Sequence, residues 1–589
     1  MKKVRTRVGE IRNTDFRGNS TQSKKEPAAN TERIGKGSDD GMGGIARKDV
    51  SNSPTRVLIG LSWVYANGRM HIGHVASSLP ADAIARFHRL IGNEVSFITG
   101  SDCYGTPILV AAKSEGITPE ALANKYHALL KQDFESLGFL FDSYTLTLSN
   151  HHNEWVRKFH DQMYKGDYIF AETTMQLYCK ACDKYLPDRY VEGICPHCKA
   201  SAKGDSCDGC SKVLEPEDLL EPTCKLCSAT PTPRETRQLY IALSKLQPAI
   251  QKYFDKVKPN WMNNAVGLVG RYLNEGLIDR AITRNIEWGV ELPKVPSKFK
   301  LTETDLENKR IYIWAENVLG YLSATAEAKG EDFLVDGKGN DLLHYYVHAK
   351  DNVPFHGIIL PGLLMANQEV SYHLPDVIVS SEYVLLNGKK MSKSTGNYLT
   401  AEDLVSKYDV DAIRYYFLRN VNDKKDVNFT TEDFVATVNA ELVNGFSNLV
   451  NRTLSFIKSR LGGEVSCRGG VLPPAIESTY KEAVQLLTEG RANRAIASIM
   501  QLVDYGNKIF DEFAPWTTIK TDEALTRKNM HEVMMVIANL ATLLEPFIPT
   551  AAKKLQGWLG ITENKFTPIA PKEFTLGDFE ILFSRISTC

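Results

Sequence analysis

Two hydrophobic rhythms run along this chain, and the change from one to the other divides it. The run "RVLIGL", Arg56 to Leu61, is continuously apolar after its first residue, the pattern of a strand buried on both faces of a parallel sheet. "SWVYANGRM" follows as a turn-rich loop. Val75, Leu79, Ala83, Phe87 and Ile91 then recur at every fourth position, which predicts one face of a helix beginning near His71. "EVSFITGSD" is a second strand ending on the polar Asp102. Strand, helix, strand predicts a right-handed crossover and hence an α/β class fold, a Rossmann-like doubly wound parallel sheet. The rhythm lapses between about 170 and 235, as for an insertion. Residues 310–322, 342–364 and 376–397 then read as later strands and loops of the same sheet, with Asn387-Gly388 as a hairpin turn. From about 430 the period lengthens, and residues 433–457, 480–513 and 530–560 read as long amphipathic helices of a C-terminal α-helical bundle. No internal repeat is evident.

At 589 residues the chain exceeds one hydrophobic core and suggests three or more domains. A formal charge of −1 provides no global attraction for a polyanion, so any nucleic acid must be met by a local patch. No apolar run approaches the ~18 residues of a membrane span. Residues 1 to 50 carry 12 Lys/Arg against 7 Asp/Glu and little that could be buried, and they lack the apolar centre of a secretory signal. They read as a solvated tail, or as a basic arm for RNA phosphates.

Eight of the eleven cysteines form four Cys-x-x-Cys pairs in one 49-residue window: Cys179/Cys182, Cys195/Cys198, Cys207/Cys210 and Cys224/Cys227. In a long chain without a signal sequence this pattern favours metal and a reducing cytosol over disulfides. Four pairs satisfy two tetrahedral Cys₄ zinc sites. The inner pairs, eight residues apart, would make one site and the outer pairs a second around it. Cys103, Cys467 and Cys589 fit no pair.

Two further motifs concern phosphate. His71, Gly73 and His74 stand at a predicted helix N-terminus, where unpaired N–H groups attract anions and glycine lets a nucleotide approach the backbone. "KKMSKS", residues 389 to 394, places three lysines just after the hairpin. Either motif alone reads as ordinary surface residues. Together, on one doubly wound chain, HIGH at 71–74 and KMSKS at 390–394 resemble the class I aminoacyl-tRNA synthetases. "YANG", "GSDCYGTP", the nested cysteine pairs, "WAENVLGY", "HAKDNVPFH" and "DEFAPW" are similar to the methionyl-tRNA synthetase family, more closely than to its leucine, isoleucine, valine or cysteine relatives. The resemblance covers nearly everything after residue 54.

That resemblance implies an ATP-dependent ligase that forms methionyl-adenylate, releases pyrophosphate and charges tRNA(Met). It implies ATP binding by His71, Gly73, His74 and Lys393, and catalysis by His71, His74, Lys390 and Lys393. Mg²⁺ would arrive on the phosphates of ATP. Asp102 would hold the methionine ammonium, and Tyr65, Trp314, Tyr321 and His356 would surround the side chain. Arg284, and Lys350 with Asp351, match polar positions near the adenylate. Asn448, Arg452 and Trp516 match positions that read the anticodon. Many relatives have Leu-Pro where this chain has Trp63-Val64, and Ala-Pro where it has Asn317-Val318, so the pocket's shape departs from theirs.

The implied organisation is an N-terminal extension (1–53), a catalytic first half (54–168), a zinc-binding connective insertion (169–235), a catalytic second half (236–375), a KMSKS linker fold (376–432) and an anticodon-binding bundle (433–589). The chain stops soon after the bundle with no appended small barrel, so a monomer is the default expectation, in the cytoplasm and without a membrane partner. Two other readings remain: a paralogue that activates methionine or an analogue without normal charging, and an inactive zinc-knuckle tRNA-binding protein.

Overall fold

The computed structural model describes residues 55–186, 190–204, 207, 209–210, 212, 214–336, 342–391, 396–466, 472–563 and 565–588. Lys393, Cys467, Cys589 and the extension 1–53 lie outside these described residues.

Six strands form the central sheet, and every pairing in it is parallel. Strands β1 (Arg56–Leu61), β2 (Val64–Tyr65) and β3 (Glu94–Asp102) include both runs read from the sequence. β1 lies between β3 and Leu342–Ala349, which in turn pairs with Val377–Ser381. β2 and Ser143–Leu146 both pair with β3. The continuous apolar runs are explained by burial on two sides. Val57, Ile59 and Leu61 join one core and Leu58 the other; Tyr345 and Val347 are divided from Tyr346 in the same way. The first core also contains the helical bundle, so one face of the sheet and the C-terminal domain share a single hydrophobic interior.

Helix α1 (Ile72–Leu90) departs from the single stripe that its period suggested. Sixteen of its nineteen residues are buried, whereas Ile91, the last position of the stripe, caps the helix and is 39% exposed. The sheet covers one side of α1, and the helices Val410–Asn420, Pro474–Thr488 and Ala492–Phe513 also pack on it. A helix enclosed in this way must satisfy any polar group it carries. Asp82, fully buried, accepts from Arg86 Nε and from Arg414 NH2, both at 2.6 Å, and from the Leu140 N–H at 3.0 Å. Arg414, also fully buried, donates to the carbonyls of Leu137, Pro546 and Phe547. Burial opposes ionisation of Asp82, but the two guanidiniums and the backbone N–H hold its carboxyl below the ordinary range.

Residues 310–322 do not join the central sheet, contrary to the sequence reading. Lys309–Ile311 pairs with Thr283–Asn285 in a separate two-stranded ladder, and short 3₁₀ turns at Ile313–Ala315 and Asn317–Leu319 lead into the helix Gly320–Lys329. Their apolar residues wall a cavity instead of extending a strand. Residues 350–366 are likewise helical. Val384–Leu386 pairs with Val427–Phe429 outside the main sheet. The Asn387-Gly388 turn forms as read: both residues have positive φ, 52° and 75°, and Leu386 and Lys389 exchange N–H···O bonds of 2.9 and 3.1 Å.

The insertion leaves on a long antiparallel ribbon, Ile169–Cys179 against Thr232–Ile241. In the bundle, two of the long helices read from sequence are each broken. Pro474–Thr488 is separated from Ala492–Phe513 at Gly490, whose φ is +71° and where a Cβ would meet Val379 at 2.4 Å. Glu523–Leu543 is separated from Pro549–Trp558 by a turn.

Asp82→Asn should therefore lower stability by ~3–5 kcal/mol, because two buried guanidiniums lose their only shared carboxylate. A thermal or urea melt checks this; a midpoint within error of the wild type would show that the cluster does not brace α1.

Candidate active site

The N-terminus of α1 is capped by its own histidines. His71 Nδ1 accepts from the Gly73 and His74 N–H groups at 3.1 and 3.3 Å, and His74 Nδ1 accepts from the His71 N–H at 3.3 Å. This is a capping box made of two imidazoles, with the rings stacked 3.7 Å apart at 14° and Tyr398 edge-on to His71. A ring nitrogen that accepts carries no hydrogen, so in this arrangement each histidine keeps its proton on Nε2. Two N–H donors are thus fixed at the positive end of a helix.

The segments around KMSKS are held against this cap. A Cβ on Gly73 would lie 2.9 Å from the His71 ring and 3.0 Å from the methyl of Met391, so a side chain here would press on the capping imidazole and the methionine together. Ile72 N–H donates to Leu399 O, Ala401 N–H to Met70 O, and Tyr398 Oη to Arg69 O. Arg69 is braced from below by Asp133 at 2.6 Å. Lys390 is exposed, with its ammonium 5.6 Å from the Tyr383 ring. The start of α1 and residues 398–401, which follow KMSKS and lie more than 300 positions away, thus share one backbone junction.

A cavity opens at the carboxyl ends of β1 and β3. Tyr65, Asp102, Trp314, Tyr321 and His356 line it together, with Ser62, Trp63, Asn317, Val318, Asn352 and Phe355. Asp102 is 2% exposed and stands opposite Tyr65 in the β2–β3 register. Trp314 stacks on Phe355 at 3.6 Å. Burial pulls His356 down to about 4, so its ring is neutral at physiological pH. Its Nδ1–H donates to Asn352 O at 3.0 Å, which leaves Nε2 to accept from Tyr321 Oη at 2.8 Å. Tyr321 Oη in turn accepts from the Trp63 backbone N–H. Beneath the cavity, His152 and Glu316 are 2.6 Å apart and both 1% exposed. Burial pushes the glutamate up and the histidine down, and the pair shares one proton.

Arg284 is not among the residues lining this cavity. Its guanidinium meets Glu215 of the insertion at 2.8 Å and lies 4.0 Å over the Tyr312 ring. Lys350 pairs with Glu382 and Asp426 at 2.5 and 2.7 Å, while Asp351 is exposed beside it.

The eight paired cysteines meet as two groups of four. Cys179, Cys182, Cys224 and Cys227 form one, and Cys195, Cys198, Cys207 and Cys210 the other, with all sulfurs of a group within 4.8 Å. Partner sulfurs stand 3.4 to 4.0 Å apart, far beyond a disulfide bond. A tetrahedral zinc with Zn–S bonds of ~2.3 Å needs sulfurs ~3.8 Å apart. Backbone N–H groups point at several of them. Gly209 N–H donates to Cys207 at 3.3 Å, and that of Ala229 helps to draw the Cys227 thiol down to about 7.

In the bundle, Asn448 is exposed at the start of the helix Asn448–Arg460, one turn before Arg452. Arg452 donates to Asp511 and Asn507 and lies 4.2 Å over the Phe510 ring; Trp516, 52% exposed, stands 6.2 Å from the same ring. Phe510 and Phe355 escaped the sequence reading, although each adjoins or lies within a motif already noted. Trp314, on which Phe355 stacks, and Arg452, which lies over Phe510, come from other segments, so nothing local marked them. His152 and Glu316 escaped it too; a glutamate inside an apolar run was the available signal.

The family model described as "tRNA synthetases class I (M)" matches residues 57–454, and the "Anticodon binding domain of methionyl tRNA ligase" matches 461–575. Methionine–tRNA ligase 1 of Alkaliphilus oremlandii is 39% identical over 539 residues, covering 90% of this chain and 97% of the relative. A methionine–tRNA ligase of Bacillus cereus is 40% identical over 538 residues, with 90% and 96% covered. The solved structure of Mycobacterium tuberculosis methionyl-tRNA synthetase in complex with methionyl-adenylate shares the fold, with a TM-score of 0.72 over 90% of this chain and all of that one, at 23% identity. With a family model spanning most of its length and relatives matched nearly end to end, this chain belongs to the methionyl family of class I tRNA synthetases.

Proposed function

We propose that the chain is a methionine–tRNA ligase working in the cytosol: it activates L-methionine with ATP and transfers the methionyl group to the terminal adenosine of tRNA(Met). The observation that carries this reading is the junction of the HIGH turn with the segment that follows KMSKS, together with a cavity whose lining includes the buried Asp102. In the first step a methionine carboxylate oxygen attacks the α-phosphorus, the α–β phosphoanhydride bond breaks, and pyrophosphate leaves with the electron pair. The Nε2–H groups of His71 and His74 donate to phosphate oxygens as charge gathers on them, and Lys390 and Lys393 neutralise the leaving pyrophosphate. In the second step a ribose hydroxyl of the terminal adenosine attacks the acyl carbon, its proton is lost, and AMP departs.

Asp102 pairs with the substrate ammonium, whose charge a buried carboxylate complements. Tyr65, Trp314, Tyr321 and His356 surround the thioether with aromatic faces. Neutral His356 orients the Tyr321 hydroxyl and adds no charge to an apolar pocket. Arg284 acts at one remove, tying Glu215 of the insertion to the catalytic half. The ATP phosphates would hold Mg²⁺, which would supply charge neutralisation there. The two cysteine groups would each hold one zinc, bracing an insertion whose own core is small. Asn448, Arg452 and Trp516 offer amide, guanidinium and indole to anticodon bases. The domain limits given above follow from the same reading.

Methionine-dependent exchange of pyrophosphate into ATP tests the first step; no exchange with any amino acid would overturn the reading. Trp516→Ala separates the two steps. Base stacking worth ~1–3 kcal/mol should be lost, lowering charging ~5- to 150-fold with exchange and melting unchanged. Exchange, charging and stability falling together would make Trp516 a packing residue. Elemental analysis of the purified chain should find two zinc ions; one, or none with oxidised thiols, would contradict the two Cys₄ sites.

A further inference from the structure

One wall of the cavity rests on an irregular backbone. Trp314 belongs to the 3₁₀ turn Ile313–Ala315, and Asn317 and Val318 to the next, Asn317–Leu319, which leads into the helix carrying Tyr321. Glu316 is the break between the two turns, with φ −117° and ψ −58°. Turns this short have few hydrogen bonds of their own to fix them. The helix Asn150–Lys165 supplies others. His160 Nε2–H donates to Ala315 O at 2.9 Å, His151 Nε2–H donates to Ser323 O at 3.0 Å, and His152 meets the Glu316 carboxyl at 2.6 Å. Asn153 of the same helix accepts from the Tyr104 hydroxyl at 3.0 Å, and the Tyr104 N–H donates to Asp102.

Hydrogen bonding also locates the proton shared by His152 and Glu316. The Ser323 hydroxyl donates its one hydrogen to Gly320 O at 3.1 Å, so toward His152 Nδ1, 2.8 Å away, it accepts. Nδ1 therefore carries a hydrogen, and a neutral ring then has a bare Nε2. The donor to that nitrogen is a protonated Glu316. An ion pair is disfavoured twice over. Both groups are 1% exposed, and His152 lies in the first turn of its helix, where the dipole opposes a cation. Asp102 is the only acidic residue lining the cavity, and a neutral Glu316 adds no second negative charge behind the wall.

We infer that Glu316 and His152, joined as carboxylic acid and imidazole, are positioning residues for the amino-acid site, holding the wall that carries Trp314 and Tyr321 against the helix Asn150–Lys165. Neither residue lines the cavity, so each acts through the wall. The inference rests on reading the cavity as the amino-acid site. A side-chain wall holds the amino acid equally before and during activation, so loosening it removes uniform binding: methionine KM rises and kcat does not fall.

Methionine-dependent pyrophosphate exchange tests this on the full chain and its Glu316→Ala, Glu316→Gln and Ser323→Ala variants. Glu316→Ala should raise methionine KM ~10-fold or more, with kcat and ATP KM within ~3-fold of the wild type. Glu316→Gln should bring methionine KM back to within ~3-fold, because its amide donates to a bare Nε2 as the acid does. A glutamine variant as weak as the alanine one would overturn the inference. A purely structural role would lower Tm and the active fraction while leaving both KM values unchanged, and that result would overturn it too. If Glu316→Ala does not fold, Ser323→Ala decides: loss of the hydroxyl that fixes the His152 proton should raise methionine KM ~3-fold or more, and no rise would defeat the inference. No exchange with methionine in the wild type would overturn the functional reading as well, whereas exchange with an unaltered methionine KM in the variants defeats the inference alone.

Discussion

Helix α1 is enclosed on nearly every side, and that enclosure is the constraint from which most of the structure follows. Its middle carries one carboxylate, Asp82, serving two guanidiniums from different parts of the chain. Arg414 also reaches the carbonyls of Leu137, Pro546 and Phe547, so a single buried cluster fixes α1 against the end of the catalytic half and against the bundle. Buried ion clusters are weak sources of stability but severe on misplacement. Here the effect is to set the axial position of the helix whose start carries His71 and His74.

The first turn shows why position matters. His71 and His74 use Nδ1 to cap the helix, and this places the ring proton of each on Nε2. The same turn receives Met391 on Gly73 and backbone bonds from Leu399 and Ala401. An axial shift of α1 by one residue, ~1.5 Å, would break these contacts together. The cavity is tied to the same frame through the Trp63 N–H, Tyr321 Oη and His356 chain, which starts two residues beyond β1.

Much of this was legible in the sequence, for identifiable reasons. β1 and β3 were readable because a strand buried on both faces carries apolar residues at consecutive positions, and the two Cys₄ groups because paired cysteines at fixed spacing have few uses. Residues 310–322 misled because Ile313, Val318 and Leu319 are as apolar as a strand, yet they belong to short 3₁₀ turns, and Val318 lines the cavity. The stripe of α1 concealed a helix buried on all sides, since small residues such as Ala76, Ala81 and Ala85 raise no hydrophobic signal while permitting close packing. Asp82 with Arg414, and His152 with Glu316, were invisible for a different reason. Each pairing joins residues more than 150 positions apart, and no local pattern announces the partner.

The role of HIGH as a pair of donors toward phosphate depends on the state in which the helix cap holds its two histidines. Nitrogen-15 NMR of histidine-labelled protein, with His71 and His74 assigned through single His→Asn variants, measures it directly. At neutral pH both rings should show a bare Nδ1 and a protonated Nε2. Chemical shifts reporting protonated Nδ1 in both rings would mean that the cap does not form as described, and the histidines would no longer be fixed as donors toward phosphate.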